Sequence, residues 1–490
     1  SGAQQTEFYG NNSYFPTAIL HARGIPGSSK VVAVLSGHHT HQRGKLGIID
    51  PSLGRQETAG VTLLAPVKPL HNETKLIKID RYGQGGDQWQ YPYPLDEETF
   101  LVTFRPAGAK YFGIYLMNKD GERVLLASDP AISCNQAMPL APRKLPPQPV
   151  APLDWRKKTG TFTLQDIYHG PGLQGVPRGT VKKLRVVALD FMATDIARKH
   201  GPSTISDLAA WDVKKVLGET PVYADGSAAF IVPARTPVYF QAIDGDGCLV
   251  QTMRSWSTLM PGETFGCVGC HESKNEAAPI KQTTLALQKG PQPLQPFYDV
   301  SGKGFSFPKM VQPILDAKCV QCHGGGQSEA TSATPDLRSE PVWDNQAGKF
   351  WNRSYKTLVN TDRDGKPAND TSQRIYIVDE KSKYLNWIGR WSTPAMIPPY
   401  SHGSSKSPLV TVLKQGKKYK GHEKMELTRE DRDKIACWID LAVPHSGDWT
   451  EGMKEEHKTI YDRVLARRTA WEQFDAKNVR EYAEAIEKKQ

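Results

Sequence analysis

Hydrophobic residues in the first part of the chain come in short runs, too brief for helices and closed off by turn formers. Val31-Val32-Ala33-Val34-Leu35, Lys45-Leu46-Gly47-Ile48-Ile49, Phe100-Leu101-Val102-Thr103-Phe104 and Gly113-Ile114-Tyr115-Leu116-Met117 are such runs, punctuated by Asp50-Pro51 and Asp120-Gly121. The pattern predicts strands. The stretch KLGIIDPSLG is weakly echoed by GIYLMNKDG, and each copy reads as the inner part of a propeller blade. Such a sheet packs on its neighbours because it cannot cover its own face. Residues 1–138 are therefore expected to form a partial β-propeller of two to three blades. A closed ring needs more, so the missing blades are expected from a cleaved segment or another chain.

Prolines then crowd residues 139–159, and their restricted φ predicts a semi-rigid linker. Strand-like runs resume in 160–298, among them Leu184-Arg185-Val186-Val187, Ala228-Ala229-Phe230-Ile231-Val232 and Pro237-Val238-Tyr239-Phe240-Gln241-Ala242-Ile243. Asp225-Gly226 and Asp244-Gly245 separate them, which predicts a β-sandwich-like middle domain. The period changes in 299–450. Phe307, Met310, Val311, Ile314 and Leu315 keep helical spacing. Thr428-Arg429-Glu430-Asp431 is a capping signal ahead of the apolar stripe Ile435, Trp438, Ile439 and Ala442. This region is expected to be mainly α and built like a small cytochrome c. Residues 451–490 read as a charged helical tail with apolar Ile460, Val464, Trp471 and Phe474, expected to pack on the domain surface, with partner docking the alternative. The fold class is thus mostly β over the first two-thirds, then mainly α.

Composition agrees with short strands and many turns, since 42 Gly and 36 Pro accompany only 38% hydrophobic residues. No run of eighteen apolar residues offers a membrane-spanning helix. The chain opens Ser1-Gly2-Ala3-Gln4-Gln5 and is expected to be a processed, exported form whose leader is missing. The formal charge of +10 is spread out, without an arginine-rich segment interleaved with aromatics, which argues against nucleic acid as a partner. Its expected use is docking an acidic redox protein.

Four of the seven cysteines fall in two pentapeptides, Cys267-Val268-Gly269-Cys270-His271 and Cys319-Val320-Gln321-Cys322-His323. C-x-x-C-H is the attachment sequence of c-type haem: two thiols add across porphyrin vinyl groups, and the adjacent imidazole takes the iron. Two haem c groups are expected, with His271 and His323 as iron ligands. A pair of redox or zinc knuckles is the bland alternative. For the iron of the second motif, the far-side candidates are Met396, His402, His422 and Met425. Histidine there would lower the potential relative to methionine. Of the remaining cysteines, Cys437 lies in an apolar helical run and reads as a small hydrophobe, and Cys248 follows a turn into a strand. His38, His39 and His41 crowd one predicted turn, as exposed loop residues or as a roof or metal site for the first haem. Asp166, Tyr168, His169 and Arg178 are polar candidates for a haem pocket.

With these residues in view, the chain resembles the alpha subunit of hydrazine synthase and its haem-bearing bacterial homologues. The likeness is carried by EFYGNNSYFPTAIL, SGHHTHQRGKLGIIDP, LQDIYHGPGLQGVPRGTVKKLRV, DGSAAFIVPARTPVYFQAIDGDG, TMRSWSTLMPGETFGCVGCHE and GHEKMELTREDRDKIACWIDLAVPHSGDW. It implies a propeller, a middle domain with one haem c, a C-terminal domain with another, and further subunits as partners. It also implies bis-histidine ligation at the second haem, with His422 the best positional match, and a zinc ligand at Cys134. In that family a tyrosine four residues after the first motif histidine takes the iron and frees the histidine for zinc. Asn275 stands at that position here. The fold therefore carries over further than the chemistry, and His271 is expected to bind iron conventionally.

Three functions follow as expectations. The leading one is a periplasmic oxidoreductase subunit, with a reaction-centre haem in the middle domain and an electron-relay haem behind it. The others are an electron carrier with both irons six-coordinate, and a redox- or gas-sensing scaffold.

Overall fold

The computed structural model describes residues 3–10, 13, 15–37, 40–70, 82–142, 153–190, 205–206, 212–272, 275–277, 279, 283–324, 335–344, 347–360, 382–389 and 395–488. His38 and His39 lie outside them, as do residues 143–152 of the proline-rich linker. The chain divides into two compact units: Thr6–Pro149 with Thr393–Met396, and Ser1–Gln5 with Val150–Ser392 and Ile397–Gln490.

The first unit is built of two antiparallel sheets whose strands pair in chain order. One contains β1 (Ala18–Gly24), β2 (Val31–Ser36), β3 (Lys45–Ile49), β4 (Val61–Leu63) and β5 (Lys68–Pro69). The other contains β6 (Gln88–Pro94), β7 (Thr99–Arg105), β8 (Gly113–Asn118) and β9 (Arg123–Ala127). Alternation along β2 explains the packing. Val32 and Val34 join Trp89, Phe100 and Phe104 of the second sheet in one core, while Ala33 and Leu35 face Phe15, Val61 and Leu63 on the other side. Both faces of β2 are therefore buried, which is why its apolar run is unbroken.

The second unit begins with β10 (Thr159–Leu164), β11 (Val181–Asp190), β12 (Val213–Pro221), β13 (Ala228–Pro233), β14 (Val238–Asp244), β15 (Leu249–Thr252) and β16 (Thr264–Cys267). They form a three-stranded sheet, β13-β10-β16, and a four-stranded sheet, β12-β11-β14-β15. Phe162, Leu164, Phe230 and Val232 from the smaller sheet pack against Leu184, Val186, Val238 and Ala242 from the larger. The pairing of β10 with β16 is parallel, with Leu164 opposite Cys267, so the strand delivers the first motif at its end.

The helices follow: α1 (Leu285–Lys289), α2 (Phe307–Met310) and α3 (Gln312–Lys318), then the hairpin β17 (Pro341–Asp344) and β18 (Lys349–Asn352), then α4 (Arg353–Asn360), α5 (Pro408–Gln415), α6 (Arg429–Asp440) and α7 (Glu455–Glu487). Thr428 and Asp431 complete the predicted capping box at the start of α6. Trp438 on α6 is wholly buried, its indole N–H bonded to the Pro444 carbonyl at 2.9 Å. Burying a side chain of that size contributes about 3 kcal/mol.

The larger sheet has a second occupied face. Val187 of β11 and Tyr239 of β14 turn away from the sandwich core and enter the core around Phe307, Tyr355 and Trp438. Strand region and helical region thus share β11 and form one body. Cys437 is buried among these residues, as a small hydrophobe would be.

The tail corrects one expectation. Helix α7 does lie against the unit, but Trp471 and Phe474 are 62% and 65% exposed. Its contacts are polar and aromatic instead: Arg468 with Asp190 at 2.5 Å, Tyr461 against Trp449, and Tyr482 edge-on to Trp155. Long charged stems and ring edges cover that surface without a fully apolar stripe. Among the described residues no helix is long and apolar enough to cross a membrane.

Candidate functional site

The first motif is a loop gripped by the segment that follows β10. The Cys267 and Val268 carbonyls accept from the backbone N–H groups of Gln165 and Asp166, each at 3.0 Å, and Cys270 N–H donates to the Ile167 carbonyl at 3.3 Å. Gly172 N–H then closes onto the Cys270 carbonyl at 3.2 Å. This approach leaves no room for side chains. A Cβ on Gly269 would lie 2.2 Å from the His169 carbonyl oxygen, and one on Gly172 would lie 2.7 Å from the Cys270 sulfur. Glu272 caps the loop from within, its carboxylate accepting from the N–H groups of Val268 and Gly269. Burial pushes the Cys270 thiol up to about 12.

Asp166, Tyr168, His169 and Arg178, the polar candidates of the sequence, all lie in the segment between β10 and β11. Arg178 donates to the Asp166 carboxylate at 3.0 Å and to the Asp225 carbonyl at 2.8 Å, with its guanidinium 5.1 Å from the centre of the Tyr168 ring. The Tyr168 hydroxyl accepts from Val181 N–H at 2.9 Å. These groups brace the segment around the motif. The roles of Glu272 and Gly172 were missed, although an acid directly after the motif histidine and the Gly-Pro-Gly at 170–172 were visible signals. His271 adopts a positive φ of 61°, and Asn275 is exposed.

The second motif is a helical turn that extends α3. Cys319 and Val320 N–H groups donate to the Leu315 carbonyl at 2.8 and 2.9 Å, and His323 N–H to the Cys319 carbonyl at 2.9 Å. Cys319 is half-buried and Cys322 exposed; burial raises the Cys319 thiol to about 11. The ring of His422 faces that of His323, centroids 6.0 Å apart and planes 23° from parallel. Among the described residues, Nδ1 of each ring is buried without a hydrogen-bond partner. Burial, then the neighbouring His422, lowers the His323 pKa, with the Pro335 carbonyl acting in the opposite sense.

Two close, near-parallel, half-buried imidazoles have the separation of a ligand pair. Two metal–nitrogen bonds of about 2 Å, each extended by roughly 1 Å to a ring centre, require a separation of about 6 Å. The residues present therefore fit a haem held between His323 and His422. The other far-side candidates are placed differently: His402 contacts the Ser401 hydroxyl at 2.9 Å, and Met425 is half-buried beside the helical core. Met396 belongs to the first unit. Cys134 is a free, half-buried thiol whose N–H donates to the Phe112 carbonyl at 2.9 Å, and His41 is exposed. Among the described residues no group of three His, Cys, Asp or Glu side chains is placed to hold a metal ion.

Residues 179–272 match the family model described as the hydrazine synthase alpha subunit middle domain, a span that runs from just before β11 to the loop-capping Glu272. The chain is 23% identical to hydrazine synthase subunit alpha of Kuenenia stuttgartiensis over 457 residues, covering 74% of this chain and 54% of that protein. It thus spans about half the length of this curated relative. The fold is similar to a chain in the solved structure of Kuenenia stuttgartiensis hydrazine synthase, with a TM-score of 0.58 at 19% identity, over 87% of this chain and 61% of that one. The chain resembles the alpha subunit of hydrazine synthase.

Proposed function

We propose that this chain is an exported, dihaem c-type subunit of a hydrazine synthase-like oxidoreductase. A haem at Cys267, Cys270 and His271 is the centre that meets substrate. A second haem at Cys319, Cys322 and His323, with His422 opposite, relays electrons. The observation that carries this reading is the facing pair His323 and His422 beside a C-x-x-C-H turn. Bound haem c supplies one-electron redox chemistry.

The chain's own residues do the rest. The paired cysteines would hold each haem by its edge and set its orientation. His323 and His422 would together hold the iron of one haem, which would leave it no site for small molecules and suit it to electron transfer. At the other site the lock between Gly269, Gly172 and Glu272 sets the direction of Cys270 and His271. Asn275 replaces the tyrosine that the resemblance would place on that iron, so ligation there differs from hydrazine synthase. The activity that the likeness supports is redox chemistry on a small nitrogen compound. Domains read as a partial propeller over 1–138, a middle haem domain over 160–298 and a cytochrome c-like domain over 299–450. The partners are other subunits of the complex, including whatever completes the propeller, in a compartment outside the cytoplasm. Zinc at Cys134 belongs to the same reading.

The test is direct. Mass spectrometry of protein matured in a haem c-competent host should show about 1.2 kDa above the polypeptide, for two haems. Electron paramagnetic resonance of the oxidised protein should contain a bis-imidazole low-spin signal. Carbon monoxide should bind the reduced protein at one haem. Protein without a Soret band overturns the reading. Carbon monoxide binding at neither haem leaves an electron carrier and no reaction centre.

A further inference from the structure

The segment that presents His422 is unusually basic. Lys414, Lys417, Lys418, Lys420 and Lys424 are all exposed, and only Glu423 interrupts them before Glu426. Lys318, also exposed, directly precedes Cys319. Part of this charge is answered locally: Lys414 pairs with Asp246 at 3.0 Å and Lys417 with Glu426 at 2.5 Å. Lys418, Lys420 and Lys424 have no ion-pair partner among the described residues.

Several of these lysines border a cleft that begins beside the second motif. Lys318, Lys414, Lys417 and Arg432 line a cleft of about 440 Å³ beside Met425. Cys322 is exposed, so a porphyrin tethered to it would have an edge near the surface. Tyr419, 37% exposed, sets its ring edge-on to His422 at 5.3 Å. An aromatic contact whose neighbours in the chain, Lys418, Lys420 and Lys424, are exposed and without an ion-pair partner among the described residues is the make-up of a transient, electrostatically steered interface. Like charges gathered this closely repel one another, and a partner of opposite sign relieves that repulsion.

We propose that this lysine-rich face docks an acidic electron-transfer protein, which exchanges one electron per encounter with the second haem. This rests on the haem reading above. The electron leaves the reduced partner, which is thereby oxidised by one unit, and is taken up by the ferric iron between His323 and His422. No bond is made or broken.

The experiment is stopped-flow reduction of the oxidised holoprotein by reduced flavodoxin, an acidic flavoprotein, with a small uncharged flavin reductant as the control. Raising ionic strength from about 0.02 to 0.2 M should slow the flavodoxin reaction about tenfold and leave the control unchanged. The triple variant Lys418→Glu, Lys420→Glu, Lys424→Glu should lose a similar factor at low salt with its bis-imidazole signal intact. A flavodoxin rate indifferent to salt and to the variant overturns docking while leaving the haem assignment standing. A variant that slows both reductants equally, with a shifted midpoint potential, assigns the lysines to the haem's own propionates and also overturns it. Wild-type protein lacking the bis-imidazole signal fails at the earlier step, the haem reading itself.

Discussion

The guanidinium of Arg185 on β11 lies 3.8 Å from the carboxylate of Asp440 at the end of α6, and both side chains are wholly buried. Arg185 also donates to Glu219 at 3.1 Å and sits 4.6 Å from the centre of the Phe297 ring, while Nη1 and Nη2 have no hydrogen-bond partner among the described residues. Asp440 accepts from the N–H and hydroxyl of Ser404 at 2.7 and 2.9 Å, and burial raises its carboxyl to about 7. The pair joins the four-stranded sheet to the end of α6, whose core also takes in Cys319 and Val320 of the second motif. Removing one partner strands the remaining charge in a dry interior, at a cost of about 3–5 kcal/mol. Arg185→Leu should therefore lower stability by that amount in urea unfolding, and adding Asp440→Asn should recover part of it. Full additivity of the two losses would show that the charges do not interact.

His422→Met replaces one axial imidazole by a thioether. The midpoint potential of that haem should rise, by a fraction of the roughly 0.8 V that axial ligation spans. His422→Ala should open the position, so that the reduced protein binds carbon monoxide at one more haem than wild type. Unchanged paramagnetic resonance spectra in both variants would remove His422 from the iron.

Gly269→Ala puts a methyl group 2.2 Å from the His169 carbonyl oxygen, a backbone atom that cannot swing aside. The loop should no longer close on its partner segment, and the purified protein should lack one haem, a mass deficit of about 0.6 kDa. Gly266→Ala is the control, since its Cβ would meet only the Thr163 hydroxyl at 3.4 Å. Equal haem content in both variants would show that the lock is not needed for attachment.

His445 is 2% exposed, stacked among Phe307, Trp351 and Tyr355, with Nε2 2.9 Å from Asn352 Oδ1. Burial first, then the Lys349 and Lys356 charges, lowers its pKa well below the ordinary value. The unfolded chain, with histidine near about 6.5, thus takes up a proton before the folded one does. Its contribution to stability is present above about pH 6.5 and is lost as the pH falls toward the folded pKa. Thermal unfolding followed from about pH 7.5 to 5 should show a falling Tm, and His445→Gln should flatten part of that slope. An identical slope in the variant assigns the acid sensitivity to other groups.

Legibility followed the range of the interactions. The strands at Val31, Lys45, Phe100, Gly113, Ala228 and Val238, and the helices around Phe307 and Ile435, stood out because alternation and helical period are set by neighbours within one or two turns. The capping box at Thr428 is local for the same reason. By contrast, Trp471 and Phe474 read as buried and are exposed, because the surface that meets α7 is polar and lies far away in the sequence.

The sequence by itself determined the two C-x-x-C-H turns, since thiol and imidazole spacing is covalent and needs no tertiary contact. It also determined the succession of β and then α segments. Tertiary structure alone decided three things. It put the ring of His422 opposite His323 across nearly a hundred residues, wrapped 165–172 around the first motif, and gave β11 two buried faces that fuse strand and helix regions into one body. Each depends on which surfaces meet once water is expelled, and a one-residue shift in register or helix rotation would turn those side chains outward.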